Sequence, residues 1–386
     1  MNVLVVNYEY PPLGGGGGVA CEQVAVELAR MGHKVDVITS QGPNLAPQET
    51  RDGVRINRVR VWGRKKKQTA SLLSMLTFVR SAARAGVRMA AENRYDVVHV
   101  HFAVPTGPAG VRIARAAALP MVLSVHGGDL YDPTKLLSPH RMWPVGVVVR
   151  RVLNAADLVL AQSSNTADNA RRYHRFKGRI EIIPLGIPPV EFQPGTRGQF
   201  GLDGDDFVLV TVGRIVRRKG LNYLLDALAN VKEAGLKLVV CGDGPERVNL
   251  EGQARSLGLG DTVRFAGQMS DEEKFQLLSL ADLFVMASLH EGFGIIFLEA
   301  MSQGLPIVAT NVGGQTDFLT HEHNALLVPP ADSGVLAEAI RRTIGDEALR
   351  RMMSENNLEE VKAFDIRKIA ERHVEVFEEV AARAEP

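Results

Sequence analysis

Short runs of β-branched residues alternate with segments of helical periodicity along most of this chain. In the first half the candidate strands cover residues 3–7, 35–39, 97–101, 122–125 and 158–161. Runs that are apolar on both faces are typical of parallel strands buried between two layers of helices, and a helix is expected over residues 19–31. The pattern therefore predicts a doubly wound α/β fold.

The same pattern restarts in the second half of the chain. There the candidate strands cover residues 207–213, 237–241, 263–266, 283–286 and 307–310, and a helix is expected over 222–234. Because 386 residues exceed what one hydrophobic core usually holds, we predict two domains. Prolines and glycines concentrate in 184–205, which indicates a hinge. The predicted division is a first domain 1–188, a linker 189–205, a second domain 206–366 and a last helix 367–386 that crosses back to the first domain.

Charge divides the chain in the same way. The formal net charge is +1, which disfavours a uniformly basic nucleic-acid-binding protein. Residues 1–190 carry 25 basic and 13 acidic side chains (net +12), which leaves 20 and 31 (net −11) for residues 191–386. The two halves are therefore electrostatically different.

Cysteine usage and hydropathy bear on where the protein resides. Cys21 and Cys241 lie far apart without other ligands at metal-binding spacing, so neither a disulfide framework nor a zinc site is expected. Residues 1–6 lack the basic and long apolar segments of a signal peptide, and no run approaches the roughly 18 apolar residues of a membrane span. We expect a cytoplasmic protein, soluble or peripheral on the inner face of the cell membrane.

Five consecutive glycines, Gly14 to Gly18, follow the first predicted strand. Glycines at a strand-to-helix turn let backbone N–H groups approach an anion closely, so Gly16 and Gly17 are candidate binding residues. A flexible loop is the simpler interpretation. A dinucleotide-binding turn is disfavoured, because no glycine stands at 19 or 20 and no acidic residue ends the second strand.

In the second half, the first strand runs into Gly213 and Arg214, and Lys219 and Gly220 follow. An arginine and a lysine at a strand end can bind a diphosphate, the arginine as a fork and the lysine as a point charge. The intervening arginines, 217 and 218, are expected to be solvated.

Two glutamates stand eight residues apart in the segment 291–299. Glu291 precedes a predicted helix beside Gly292 and Gly294, and Glu299 lies inside that helix among apolar neighbours. We expect the two carboxylates to line one pocket rather than to form an ion pair. A carboxylate at a buried position needs a partner, for example vicinal sugar hydroxyls, whereas a surface position for Glu299 would need none.

Together these motifs resemble glycosyltransferase family 4, over nearly the whole chain. The motifs that carry the resemblance are the glycine-rich loop, Gly213-Arg214 with Lys219-Gly220, residues 242–245, 265–267, 291–294 with 299–301, 304–309, 313–314 and 327–330. The resemblance implies a GT-B fold, with two Rossmann-like domains facing across a cleft. It also implies transfer of a hexose-type sugar from a nucleotide-diphosphate sugar with retention of anomeric configuration.

The resemblance also assigns roles by position. It implies that Arg214 and Lys219 with Gly213 hold the diphosphate, and that Glu299 accepts the ribose hydroxyls. Glu291 with Gly292, Phe293 and Gly294 would contact the donor sugar. His126 matches the cleft histidine near the transferred sugar, and Gly16 and Gly17 would approach the phosphates or the acceptor. This chain departs from the family pattern in two places. Members often have Glu where this chain has Asp317, and the run of five glycines is longer than the usual two.

Retention without an obvious nucleophile favours a front-face substitution in which the leaving diphosphate takes the acceptor's proton. Arg214 and Lys219 would stabilise its growing charge. In this account the positive side chains stabilise the leaving group, so neither a metal nor another cofactor is expected to be required.

Residues 58–94 carry ten basic side chains and one acid, net +9, around a predicted helix. Its predicted apolar face consists of Leu72, Met75, Leu76, Val79, Ala83 and Val87. A basic amphipathic helix can lie on an anionic membrane, which makes a glycan or lipid-linked acceptor plausible. An ordinary domain helix with solvated basic residues is the alternative.

Three other functions remain open from the sequence. A nucleotide-sugar epimerase of the same fold needs no acceptor. A non-catalytic nucleotide- or sugar-binding protein would release no nucleotide. A dinucleotide oxidoreductase is disfavoured by the missing acidic residue after the second strand.

Overall fold

The computed structural model describes residues 1–64, 71–135, 138–231 and 233–384. The chain divides into two compact units. The first comprises residues 1–188 with 365–386, and the second comprises residues 189–364. Residues 189–205, expected as a linker, lie within the second unit, where Phe200 and Leu202 are buried.

The first unit is built on an eight-stranded sheet. Its strands are β1 (Asn2–Val6), β2 (Lys34–Ser40), β3 (Gln48–Arg51), β4 (Val54–Val59), β5 (Val97–His101), β6 (Met121–Val125), β7 (Leu158–Ala161) and β8 (Ile180–Ile182). Their order is β3-β4-β2-β1-β5-β6-β7-β8, and every pair is parallel except β3 with β4. Strands β3, β4 and β8 escaped the sequence prediction because polar residues interrupt their short sequences.

Helices cover both faces of this sheet. The first five are α1 (Gly16–Arg30), α2 (Leu72–Glu92), α3 (Gly107–Ala117), α4 (Trp143–Leu153) and α5 (Ser164–His174). Alternate residues of β1 enter two different cores: Leu4 and Val6 lie in one, Val3 and Val5 in the other. This division follows from the alternation of side chains along a strand, and it explains why the strand is apolar throughout.

The glycine run is mostly helix rather than loop, which corrects the expected start of α1 at residue 19. Helix α1 begins at Gly16, and Gly15 is its N-cap residue. The carbonyl of Gly15 accepts hydrogen bonds from the amides of Gly18 and Val19. The turn packs closely against neighbouring backbone at Gly18, where a Cβ atom would lie 3.1 Å from the Glu9 carbonyl oxygen.

Helix α2 buries a different face from the one predicted. Met75, Val79 and Ala83 do pack against the core, but Leu72, Leu76 and Val87 are exposed. The buried stripe is Ser74, Phe78, Ala82, Gly86 and Met89. Gly86 decides the orientation, because a Cβ atom there would lie 2.3 Å from Cδ1 of Ile113 in α3.

The basic residues around α2 are also not all solvated. Arg58 is buried and pairs with Glu49, and Arg64 is buried and donates to the Ser40 hydroxyl. Lys65, Lys66 and Lys67 lie outside the described residues.

The second unit is built on a six-stranded, wholly parallel sheet, of order β11-β10-β9-β12-β13-β14. Its strands are β9 (Phe207–Val212), β10 (Leu236–Cys241), β11 (Val263–Gly267), β12 (Leu283–Met286), β13 (Ile307–Thr310) and β14 (Leu326–Val328). Its helices are α6 (Leu221–Val231), α7 (Arg247–Ser256), α8 (Asp271–Leu280), α9 (Ile295–Ser302), α10 (Ser333–Gly345) and α11 (Glu347–Glu360). Strand order reverses beside β9, which places the carboxyl ends of β9 and β12 where ligands bind in such sheets.

The last helix, α12 (Ile366–Ala384), belongs to the first unit. It packs with α1, and its His373 and Phe377 rings contact the His99 ring of β5. Among the helices of the described ranges, none combines the length and the apolar character that crossing a membrane would take.

Candidate functional site

In the second unit, the turn after β9 brings a lysine into the sheet's carboxyl edge. Gly213 follows β9, and the chain then turns through a short 3₁₀ helix, Arg217–Lys219, to Gly220. Gly220 has φ +62° and a Cβ atom there would lie 2.0 Å from the Ala287 carbonyl oxygen, so this tight turn requires glycine. The turn thereby places Lys219 beside Gly213.

Lys219 is paired with Glu291, which lies after β12. Lys219 Nζ donates to Glu291 Oε1 at 2.7 Å, and both residues are buried. Ser288 Oγ donates to the same oxygen at 2.7 Å, and Arg218 donates to Oε2 at 2.8 Å. The prediction that Glu291 forms no ion pair is therefore wrong, and so is the prediction that Arg218 is solvated.

These contacts set the charge of the pair. Burial by itself raises the pKa of Glu291, but Lys219 and Arg218 outweigh it and hold that pKa far below its usual range. Burial lowers the pKa of Lys219, while Glu291 raises it in part. Glu291 is thus a fully engaged carboxylate, and an ionised one at neutral pH.

Arg214 stands next to this pair but remains exposed. Within the described ranges it forms no ion pair, and it contributes to lowering the pKa of Lys219. A small cavity of about 10 Å³ borders Gly213, Lys219, Cys241 and Met286 at the same edge of the sheet. The site therefore offers a free guanidinium beside a buried ammonium.

The segment 291–294 leads into α9. Phe293 is buried against the Phe318 ring, and Gly294, at φ +91°, is the N-cap residue. A Cβ atom at Gly313 would lie 2.2 Å from the Glu291 carbonyl oxygen, and the Gly314 amide donates to that oxygen. Backbone packing thus fixes Glu291 at the start of α9, where the first N–H groups of a helix have no partner within the helix. Asp317 is exposed and ends a short 3₁₀ helix, Gly314–Asp317, whose first two residues are buried.

Glu299 is in α9, and its partner is Lys274 of α8. Lys274 Nζ lies 2.9 Å from each carboxylate oxygen, and both side chains are largely buried. Burial raises the pKa of Glu299, and Lys274 counteracts that effect. The expected buried position of Glu299 is found, but its charge is paired with a lysine that the sequence analysis did not single out.

In the first unit, His126 follows β6 and is held by both ring nitrogens. Nδ1 lies 3.2 Å from Gln162 Oε1, and Nε2 lies 3.0 Å from His101 Nδ1. Because an amide oxygen only accepts, His126 Nδ1 carries the hydrogen and Nε2 accepts from His101. Burial lowers the pKa of His126 to about 4, so the ring is neutral at pH 7.

Asp129 fixes the backbone of His126. Its carboxylate accepts hydrogen bonds from the amides of His126 and Ala103, at 2.9 and 2.7 Å. Burial raises the pKa of Asp129 to about 6, against the effect of these amides. Gln162, His101 and Asp129 were missed from the sequence, although Gln162 and His101 lie at carboxyl ends of strands next to β6, which is a usable signal.

The glycine run lies near His126. A Cβ atom at Gly17 would lie 2.4 Å from the Phe102 ring, whose centroid is 4.5 Å from that of His126. Gly16 is exposed, with open space around the position of a Cβ atom. The Glu9 carboxylate accepts a hydrogen bond from the Gly15 amide at the start of α1. Nothing in the sequence pattern had indicated Glu9.

Within the described ranges 1–64, 71–135, 138–231 and 233–384, no group of three histidine, cysteine or acidic side chains is arranged to hold a metal ion.

Comparison with known proteins covers both units. Residues 15–186 match the model of the glycosyl transferase 4-like domain, and residues 193–360 match that of glycosyl transferases group 1. A D-inositol 3-phosphate glycosyltransferase of Kineococcus radiotolerans is 30% identical, over 94% of this chain and 90% of the relative.

Solved structures resemble the whole chain as well. Sucrose-phosphate synthase from Thermosynechococcus elongatus has a TM-score of 0.88 and 27% identity, with 99% of each chain covered. The Anabaena protein HepE, solved with UDP and glucose, has a TM-score of 0.78 and 22% identity, with 98% of this chain and 100% of HepE covered.

Proposed function

This chain belongs to the family 4-type glycosyltransferases of GT-B fold, and from that premise we propose which reaction it catalyses. The donor is a nucleotide-diphosphate sugar carrying a hexose, and the acceptor is a glycan or a lipid-linked glycan. The sugar is transferred with retention of its anomeric configuration. The product serves cell-surface glycan or glycolipid synthesis.

The cationic edge of the second unit carries this proposal. Arg214, Arg218 and Lys219 place three positive charges around the single carboxylate of Glu291. The excess of two positive charges, close to the N-terminus of α9, suits a diphosphate. Glu299 accepts the ribose hydroxyls, and the segment 292–294 contacts the donor sugar. UDP bound to HepE is consistent with a donor of this class.

The same geometry supports front-face substitution. The bond between the anomeric carbon and the diphosphate oxygen breaks, and the acceptor hydroxyl oxygen bonds to that carbon on the same face. The leaving diphosphate oxygen takes the hydroxyl proton. Glu291 is a poor nucleophile here, because hydrogen bonds from Lys219, Arg218 and Ser288 already engage its oxygens. Arg214 and Lys219 stabilise the charge that develops on the diphosphate.

The first unit supplies the acceptor side. His126 is carried over from the resemblance as the histidine that serves the transferred sugar, and its ring is neutral with both nitrogens hydrogen-bonded within the first unit. Gly16 and Gly17 let the phosphates or the acceptor approach the start of α1.

Side-chain cations replace a divalent ion in this proposal. Two arginines and a lysine supply the charge that the leaving group needs. Transfer is therefore expected to continue in excess EDTA, with no cofactor besides the donor itself.

The acceptor side also carries a surface suited to an anionic membrane. Four residues are each more than half exposed: Trp62, which precedes α2, and Leu72, Leu73 and Leu76 of α2. The Trp62 amide donates a hydrogen bond to the Thr77 hydroxyl of α2. We call these four residues the apolar patch. Arg80 and Arg84 lie exposed on the same helix, each worth on the order of 1 kcal/mol near anionic lipid. In this proposal the apolar patch holds the enzyme at the inner face of the cell membrane, next to a lipid-linked acceptor.

Calorimetric titration with UDP, GDP, ADP and TDP tests the donor site first. One diphosphate should bind the wild type selectively, and Lys219→Ala should weaken it by roughly 100-fold, through loss of a charge-assisted bond to phosphate. Lys219→Ala should still fold, since Arg218 and Ser288 remain on Glu291. Lys177→Ala removes an exposed lysine of the first unit and serves as the control.

Product analysis then identifies the reaction. With the matching nucleotide sugar, release of nucleoside diphosphate that depends on added acceptor supports the transferase. The acceptor panel should include a soluble sugar or polyol phosphate, because the named relative is an inositol phosphate glycosyltransferase. Conversion of the donor without acceptor would indicate an epimerase. Absence of diphosphate binding would overturn the proposed donor site.

A further inference from the structure

The ion pair between Lys274 and Glu299 has no counterpart in the motifs that identify the family. Lys274 lies on α8 and Glu299 on α9, so the pair joins two helices of the second unit. Lys274 Nζ lies 2.9 Å from both Oε1 and Oε2 of Glu299. Their side chains are only 14% and 13% exposed, so the pair is shielded from solvent.

We propose that Lys274 is a positioning residue for the donor, which holds the Glu299 carboxylate negatively charged and oriented to accept hydrogen bonds from the ribose. This inference rests on the proposed function, in which Glu299 binds the ribose. It adds a second residue, on another helix, that determines whether Glu299 can do so.

The hydrogen-bond capacity of Glu299 permits both interactions. An ionised carboxylate has about four acceptor positions, and one ammonium shared between the two oxygens leaves positions for two hydroxyls. Within the described ranges, Lys274 is the side chain that donates to Glu299. Asp271 is the second partner of Lys274, at 2.9 Å, and holds it from the solvent side.

The charges around Glu299 make its ionisation depend on Lys274. The groups that face it are Lys274 and Asp271, and Cys241 is close enough for Glu299 to raise its pKa. Burial raises the pKa of Glu299 above its usual value even with Lys274 present, and Asp271 adds to the rise. Removing Lys274 removes the group that opposes both effects, so protonation of Glu299 moves to higher pH.

A protonated Glu299 would bind ribose poorly, because it offers fewer acceptors to two donor hydroxyls. As the pH falls, the nucleotide affinity of a variant without Lys274 should therefore begin to decrease at a higher pH than that of the wild type. The discrimination between ribose and 2′-deoxyribose should fall with it.

Lys274→Met is the test variant, since it keeps an unbranched apolar stem beside the Phe275 ring and removes the charge. Lys274→Arg keeps the charge and is the matched rescue, and Glu299→Gln mimics the protonated carboxyl. The probes are UDP with dUDP, GDP with dGDP and ADP with dADP, titrated by calorimetry between about pH 5.5 and pH 8. Thermal melting establishes that each variant is folded.

The wild type should prefer the ribonucleotide by about tenfold, the usual worth of a hydrogen bond to a charged group. Lys274→Met should lose most of this preference at the acid end of the titration and regain part of it toward the alkaline end, because Glu299 is protonated at higher pH without Lys274. Glu299→Gln should lose it at all pH values, and Lys274→Arg should retain it.

The outcomes separate this inference from the proposed function. If no nucleoside diphosphate binds the wild type, the proposed donor site itself is wrong. If Glu299→Gln loses the preference while Lys274→Met keeps it with an unchanged pH profile, the ribose site stands and the role of Lys274 is overturned. If Glu299→Gln keeps the preference, Glu299 does not bind the ribose and both assignments fail.

Discussion

Lys219 Nζ lies 2.7 Å from Glu291 Oε1, and the two charges neutralise each other beneath the exposed Arg214. The lysine that should bind a diphosphate is thus already ordered by a carboxylate before any ligand arrives. Ordering a long side chain in advance removes part of the entropy cost of binding. The Glu291 carboxylate in turn accepts hydrogen bonds from Lys219, Arg218 and Ser288, which makes it a poor nucleophile.

We expect Glu291→Gln to lower kcat by roughly tenfold without abolishing transfer, because the charge-assisted bonds weaken while the diphosphate still supplies the base. Steady-state kinetics with the matching donor measure the loss, and intact-protein mass spectrometry tests for a glycosylated enzyme. Thermal melting should show a folded variant. A folded variant with no turnover, together with a covalent sugar on the wild-type enzyme, would instead make Glu291 the nucleophile.

Gly220→Ala should destabilise the second unit by more than about 2 kcal/mol, since the new Cβ meets the Ala287 carbonyl oxygen at 2.0 Å with φ +62°. Chemical denaturation followed by far-ultraviolet circular dichroism measures the change, because both tryptophans, Trp62 and Trp143, lie in the first unit. Gly252→Ala is the matched control, because Gly252 lies within α7 with open space around its Cβ position. That variant should gain up to about 1 kcal/mol from helix propensity. Equal stability of the two variants would contradict the turn geometry.

Acid should destabilise the first unit through its buried histidines. Burial, and the neighbouring histidines, hold the pKa of His99 and His101 well below the usual value. Unfolded histidines protonate near pH 6.5, so the native state binds fewer protons below that pH. The stability these neutral rings contribute is therefore complete above about pH 6.5 and is lost as the pH falls toward their native pKa.

The variant that tests this is His99→Phe, which keeps a ring against His373 and Phe377 but cannot protonate. Its melting temperature should fall less than that of the wild type between about pH 7.5 and pH 5. His323→Gln, at an exposed position of the second unit, should show the wild-type fall. An unchanged pH dependence in His99→Phe would argue that other groups cause the acid sensitivity.

The apolar patch should mediate binding to anionic vesicles. Replacing Leu72, Leu73 and Leu76 together by Gln should reduce co-sedimentation with vesicles rich in phosphatidylglycerol by at least about tenfold at low salt. The melting temperature should change little, since these side chains are exposed. Val248→Gln alters an exposed apolar residue of the second unit and should bind as the wild type does. Wild-type protein that ignores such vesicles would exclude the patch as a membrane surface.

Local pattern predicted the architecture well. A strand buried between two layers of helices must be apolar on both faces, which makes such strands recognisable in the sequence. Strands β5, β7, β12 and β13 begin and end where predicted. Residues that follow parallel strands meet at one edge of a sheet, and Gly213, Lys219 and Glu291 do lie together there. The sequence related them only through the family resemblance and did not predict the ion pair. Where strands are short and polar, as in β3, nothing local distinguishes them from loops.

The sequence by itself determined two doubly wound α/β units and the strand ends that carry the candidate site, because these depend on periodicity and on residue type. Only the tertiary structure decided which charges are paired. Glu291 binds a lysine 72 residues earlier, Glu299 binds one 25 residues earlier, and α2 turns its Ser74–Phe78 side inward because Gly86 admits Ile113. Each of these outcomes depends on the packing of elements distant in the chain, and no local pattern encodes that packing.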